Sequence, residues 1–187
     1  SSSIGTASVT FSATDGTIGW GRWDGDIVST SGPMSPGLTP GVFHYVIGLP
    51  TAAMPTSGTA TYSLLGYTNP TADDLSTGWS VQGDLSASFG STSGMLVVNM
   101  VVSNANNSYS INGNAPISTP TATFSGSAWN TTSTTGGCTS GCFTSVNGFF
   151  AGTDASRAGL SYQIDESMGR SVQGAAAFSR TTPPPLN

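Results

Sequence analysis

The chain contains no lysine and a single glutamate, Glu166, in 187 residues. Its only cationic side chains at neutral pH are Arg22, Arg157, Arg170 and Arg180, and charged residues make up 7% of the whole. A protein that neutralises phosphates needs clustered Lys or Arg, so this composition excludes nucleic acid as a partner and disfavours an anionic lipid surface. Solubility has to come from Ser, Thr, Asn and Gly, helped by the mild repulsion of a net charge of −5. Lysine and glutamate are also good helix formers, whereas Ser, Thr, Gly and Val dominate here. No dozen-residue window repeats its apolar residues at the helical period, so helices are not expected. No apolar run reaches membrane-spanning length, and the most apolar stretch, "GMLVVNMVVSN" from Gly94, is interrupted by Asn99. No transmembrane segment or signal peptide is recognised, and an exported chain would be seen here in its mature form.

Cysteine is equally sparse. Cys138 and Cys142 lie together in "GGCTSGCF". A lone pair with one distant histidine is a poor zinc site, because structural zinc wants four ligands. A local disulfide closing a Gly-rich loop fits better than free thiols. So short a loop removes little chain entropy, so the bond shapes a tip rather than holding the fold, and it implies an oxidising compartment.

What the sequence does hold is alternation. "ASVTFSAT" (Ala7 to Thr14) ends at Asp15-Gly16, a hairpin signal, and "TIGWGRW" follows. A Gly/Pro-rich loop from Ser29 to Gly41 precedes the strand "VFHYVIGLP". From Gly58 onward eight strand-like runs follow with mostly short connections: from Gly58, Gly78, Gly94, Ser108, Thr121, Cys142, Arg157 and Ser171. In the seventh, Leu160, Tyr162 and Ile164 share one face and Ser161, Gln163 and Asp165 the other. Eight antiparallel strands suit an up-and-down β-barrel whose interior is just filled by side chains. Closure removes the exposed edges that a chain without lysine cannot blunt. The expected fold is therefore all-β: an eight-stranded antiparallel barrel over 58–182, preceded by an N-terminal strand segment over 1–57 and followed by a Pro-rich tail over 183–187. The N-terminal segment has too little apolar mass to fold alone, so it is expected to pack on the barrel or on a neighbouring subunit.

The run "NGFFAGTDASRAGLSYQID", with "SVQGAAAF" after it, resembles the last hairpins of the transferrin-binding-protein-like β-barrel of bacterial surface lipoproteins and related secreted binders. The matching residues are Gly148, Phe150, Gly152, Ala155, Gly159, Gly174, Ala175 and Phe178. They cover about the last fifth of the chain, and looser strand spacing extends the likeness back to Gly58. The resemblance implies a non-enzymatic surface or secreted binder, extracellular or on the bacterial cell surface. Two departures from the family are expected: no N-terminal lipid-attachment cysteine and no large second lobe that would carry a host-protein site. On physical grounds Gly159 and Gly174 are expected where a small barrel must curve or allow close approach. Phe150 and Phe178 are expected to point inward, with the alanines from Ala175 making room for an aromatic.

Candidate chemistry is thin. His44 is the only histidine. Some secreted relatives of this fold bind haem, but no second ligand cluster accompanies His44, so it is read as a hydrogen-bonded strand residue and no cofactor or metal is expected. No Gly-x-Ser-x-Gly appears for a serine hydrolase. The acid pairs Asp24/Asp26, Asp73/Asp74 and Asp165/Glu166 sit in turns, where acids are expected anyway. The densest patch is "WGRWDGD". Trp20, Arg22 and Trp23, with His44 and Tyr45, are the expected partner- or ligand-contacting residues, although Trp20 equally suits a plug at the barrel end. The expected function is binding of a partner protein or small ligand. The alternatives are a structural subunit of an extracellular fibre built by strand exchange, with self-association as its partner contact, and a glycan-active enzyme.

Overall fold

Alternation of apolar and polar residues turns nearly all of the described chain into strands. The computed structural model describes residues 2–4, 8–25, 27–29, 42–127, 130–134, 138, 141–167 and 169–182. In chain order the strands are β1 (Ser2–Ile4), β2 (Ser8–Thr14), β3 (Ile18–Asp24), β4 (Ile27–Ser29), β5 (Val42–Gly48), β6 (Thr59–Tyr67), β7 (Thr71–Ala72) and β8 (Ser80–Ser88). They continue as β9 (Gly94–Ser103), β10 (Ser108–Ser118), β11 (Thr123–Gly126), β12 (Asn130–Ser133), β13 (Cys142–Ala151), β14 (Arg157–Glu166) and β15 (Ser171–Arg180). A 3-10 turn at Thr153–Ala155 joins β13 to β14. The Pro-rich tail and most of the loop from Ser29 to Gly41 lie outside the described residues.

Strands β6, β8, β9, β10, β11, β13, β14 and β15 run up and down in sequence order, and β15 pairs with β6 to close an eight-stranded antiparallel barrel. One stave is broken. β11 pairs with the end of β10 and with β13, whereas among the described residues β12 pairs only with the start of β10. The buried hydroxyls of Thr131 and Thr144, 2.7 Å apart, link β12 to β13. Pro116, which has no N–H to offer a ladder, stands in the stretch of β10 facing that break.

Side chains fill the barrel. Tyr62, Leu85, Leu96, Ile111, Phe150, Leu160, Ile164 and Phe178 are all fully buried in one cluster. In β14, Leu160, Tyr162 and Ile164 face the core. In β15 the alanine run divides: Ala176 faces inward beside Phe178, while Ala177 faces outward and is covered by Trp20 and Ile18. The run therefore does not act as one small-residue lining for the interior, because successive side chains in a strand point to opposite faces.

Strands β2, β3 and β5 form a separate three-stranded sheet that lies on the outer wall of the barrel. Ile18, Trp20, Ala13 and Val46 pack against Ala177 and Phe149. Two wall glycines make this contact. A Cβ at Gly66 would stand 2.2 Å from the Trp20 ring, and one at Gly159 would stand 2.4 Å from Val46 Cγ2. Gly159 thus seats the N-terminal sheet. Trp20 does not plug an end of the barrel; it lies flat on its side. The side chain of Arg157 reaches the Asp15 carboxylate and ties the β2–β3 turn to the start of β14. Replacing Gly66 with valine should displace Trp20 and cost about 1–3 kcal/mol through overpacking. Limited proteolysis should then cut the β2–β3 hairpin faster than in the parent. An unchanged digestion pattern would mean that this seat does not hold the sheet.

Within the N-terminal segment β1 and β4 form a two-stranded ribbon that pairs Ser2 with Ser29 and Ile4 with Ile27.

Candidate functional site

The β2–β3 hairpin is set by its turn. Asp15 Oδ1 accepts the N–H groups of Thr17 and Ile18, each at 3.0 Å, and Gly16 takes the positive φ of 89° that the turn requires. Burial alone would raise the Asp15 pKa, but these two N–H donors and Arg157 lower it. From that turn the pleat of β3 points Ile18, Trp20 and Arg22 at the barrel and Trp23 away from it. Register with β5 pairs Arg22 with His44, Gly21 with Tyr45 and Trp23 with Phe43. The five residues singled out from sequence are therefore neighbours on one sheet but divide between its faces. Trp20, Arg22 and His44 face the wall, and Trp23 and Tyr45 face outward.

On the inner face, His44 is buried with both ring nitrogens engaged: Nδ1 with Thr68 Oγ1 at 2.7 Å and Nε2 with Thr71 Oγ1 at 2.9 Å. Burial is the main cause that lowers its pKa to about 4. The Arg22 charge adds to the drop and Asp24 opposes it. At neutral pH the ring is uncharged, and neither nitrogen is left over for an iron or other metal. Among the described residues no group of three or more His, Cys, Asp or Glu side chains is placed to hold a metal ion. Arg22 itself donates to Asp24 Oδ2 at 2.9 Å and to the Asn69 carbonyl at 3.4 Å.

The described acids of the three pairs are each engaged. Asp26 lies outside the described residues. Asp73 Oδ2 accepts the Ser171 N–H at 3.1 Å, and Asp165 accepts Gln163 Nε2 at 2.9 Å. Arg170 gathers the rest at one end of the barrel. It donates to Asp74 Oδ2 at 3.0 Å and to Glu166 Oε1 at 2.7 Å, with its guanidinium 5.8 Å from the Tyr109 ring centroid. Tyr109 stacks on Trp79 and donates to the same glutamate oxygen. These carboxylates hold the barrel end together.

The outer face of the sheet carries exposed apolar side chains. Val9, Trp23 and Phe43 form one row across the three strands. Trp23 meets Tyr45 edge to face with centroids 6.3 Å apart. Phe43 is 54% exposed and Ile47 60%. The surface continues into an open groove of about 1020 Å³ bounded by Ile47, Leu49, Pro50, Ala52 and Ala53. Phe43, Ile47 and Leu49 were not among the predicted contacts. Their signal was present: "VFHYVIGLP" is apolar at nearly every position, whereas a strand with one wet face should alternate.

Cys138 and Cys142 form the expected disulfide, with Cα atoms 4.9 Å apart, at the entry to β13. Intact mass without reduction should lack two protons. Reduction should lower stability by only about 1–3 kcal/mol, because the loop it closes is short. Two free thiols in protein recovered from its native compartment would refute the bond.

No family model and no curated protein matches this chain. Solved structures do. A double mutant of the vaccine antigen Transferrin Binding Protein B from Haemophilus parasuis Hp5 aligns with TM-score 0.51 and 13% identity, over 88% of this chain and 32% of that one. A single mutant of the same protein gives 0.47 at 13% identity, over 88% and 33%. The isotype 1 protein from serogroup B Neisseria meningitidis gives 0.46 at 10% identity, over 96% and 37%. The chain spans about a third of the length of these structures. At such identity the likeness concerns fold alone: the chain folds in the manner of part of Transferrin Binding Protein B.

Proposed function

We propose that this is a non-enzymatic, exported bacterial β-barrel protein that binds a partner protein through the outer face of the β2–β3–β5 sheet. The observation that carries this reading is the exposed Val9, Phe43 and Ile47 around the half-buried Trp23 and Tyr45, on a sheet whose other face is anchored. Large exposed apolar patches mark interaction sites, and here a half-buried aromatic pair, Trp23 and Tyr45, is flanked by the exposed Val9, Phe43 and Ile47. The disulfide supports an extracellular or cell-surface location. The engagement of the paired acids speaks against a glycan-active enzyme.

Transferrin, after which the structurally similar protein is named, is the first partner to test. Biolayer interferometry on immobilised protein should give a signal that Trp23→Ser combined with Ile47→Ser abolishes, while the denaturation midpoint stays close to the parent's. Binding that survives both substitutions would place the contact elsewhere. A second reading is favoured by the edge position of β2, whose only ladder partner among the described residues is β3. On that reading the partner is another copy, and the chain is a subunit of a strand-exchanged extracellular fibre. Light scattering after size exclusion separates the two: a monomer over the working concentration range argues against the fibre.

A further inference from the structure

The outer wall of the barrel turns polar beside the edge strand β5. Ladder register sets Ser145 next to Gln163, Gln163 next to Gln173, and Gln173 next to Thr71. One row of hydroxyl and amide side chains thus crosses β13, β14, β15 and β7, with neighbouring strands about 4.8 Å apart. Asn147 and Ser161 form the next pair along. Ser145, Gln173 and Thr71 are half-buried, and Gln163 is exposed. Gln163 and Gln173 line both a cleft of about 430 Å³, which also takes in Asn69, Ser171 and Trp79, and an adjoining one of about 180 Å³ that takes in Ser145, Asn147 and Ser161.

The chemistry of this cleft is narrow. Its amides and hydroxyls can each donate and accept. The two charged groups of its lining are opposite in sign: Arg22, which faces the Asp24 carboxylate and the Asn69 carbonyl, and Asp73, which accepts the Ser171 N–H. Their charges cancel, so the lining does not select a phosphate or an acidic group. Thr71 is fixed from behind by His44. The strands of the floor have their backbone groups in barrel ladders, so a peptide cannot add to them as another strand.

A separate observation lies at the rim. Leu75 lines the larger cleft, is 79% exposed, and sits at φ 61°, a left-handed conformation that a leucine rarely adopts. The loop holds an aliphatic side chain in water beside a polar recess, on strained backbone, and strain of this kind clusters at ligand sites.

We propose that this cleft binds a neutral oligosaccharide. The row of Ser145, Gln163, Gln173 and Thr71 takes sugar hydroxyls, and Leu75 lies on the apolar face of a ring. Vicinal hydroxyls both donate and accept, as this row does, and a pyranose presents a C–H face that an aliphatic side chain covers.

The test uses the full chain and fluorescence polarisation with labelled oligosaccharides of the cellulose, maltose, mannan and chitin types. At least one should bind with a dissociation constant in the micromolar to millimolar range. Gln163→Ala combined with Gln173→Ala should weaken it about tenfold or more. Leu75→Gly should weaken it as well, without lowering the denaturation midpoint, because glycine accepts the positive φ. Gln82→Ala, an exposed residue on β8, should leave binding unchanged. Failure of all four sugar types to bind would overturn the proposal. So would binding that is indifferent to the glutamine pair, or displacement of the sugar by an unglycosylated peptide. Trp23→Ser on the outer face should not affect sugar binding, so this result and the partner-protein result stand or fall separately.

Discussion

Truncating Phe150 to alanine should cost about 3–5 kcal/mol, from lost transfer energy and from the cavity left behind. Phe150 is fully buried near the end of β13. Its ring lies 5.3 Å from that of Phe124 on β11, 5.7 Å from Phe89 just after β8 and 5.9 Å from Tyr62 on β6, so three aromatics meet around it. The site cannot collapse easily, because a closed barrel resists inward movement of any one strand. The neighbouring residue supplies the control. Phe149 points outward and packs partly buried against Ile18 and Trp20 under the N-terminal sheet. Phe149→Ala should therefore cost less, about 1–2 kcal/mol for a partial loss of buried apolar area. Urea denaturation monitored by circular dichroism measures both. If Phe149→Ala proved the more damaging of the two, β13 would be slipped by one residue, since a one-residue slip exchanges the faces of a strand.

The barrel was legible because each stave carries its own signature. In β8, β9, β13 and β14 every second residue faces the core and most of these are apolar, and short turns rich in Gly, Ser and Asn separate the strands. Local alternation is enough to find such strands, and eight of them in series have few ways to close. β12 escaped because "NTTS" has no apolar set; its place comes from Thr131 meeting Thr144 and from the ladder to β10. β7 escaped because two residues carry no period.

The candidate site was harder for a different reason. Alternation shows that Trp20 and Trp23 face opposite ways, but not which of them faces the barrel. That choice is made by Gly66 and Gly159, more than forty and about a hundred and forty residues further along the chain, whose missing side chains make room for Trp20, Ile18 and Val46. A glycine in a strand reads as a bend or a close approach, and sequence alone does not say what approaches. The polar row of Ser145, Gln163 and Gln173 was hidden in the same way. Each residue looked like the ordinary wet face of its own strand, and only register across three ladders lines them up.

Acidification should destabilise the parent protein more than a variant without the histidine, by about 3 kcal/mol between pH 7 and pH 4. The cause is His44, whose pKa falls from the ordinary 6.5 to about 4 in the fold, first through burial and then through the Arg22 charge, with Asp24 opposing. The sign follows from proton counting. Between pH 6.5 and 4 the unfolded chain binds a proton on this ring and the folded chain does not, so protons favour unfolding. The stability is fully present above pH 6.5 and is lost as pH falls toward the folded-state value. The aspartates with lowered pKa, Asp15 and Asp74, lose their contribution as pH falls from about their ordinary value of 3.8 downward, and they do so equally in both proteins. His44→Gln isolates the histidine, because an amide can bond to Thr68 and Thr71 but does not titrate. Urea unfolding of parent and variant at pH 7, 5.5 and 4 should give two curves that converge or cross as pH falls, with the parent losing more. Parallel curves would show that His44 becomes protonated without leaving its seat between the two threonines. The sheet it anchors would then hold to the barrel wall regardless of charge.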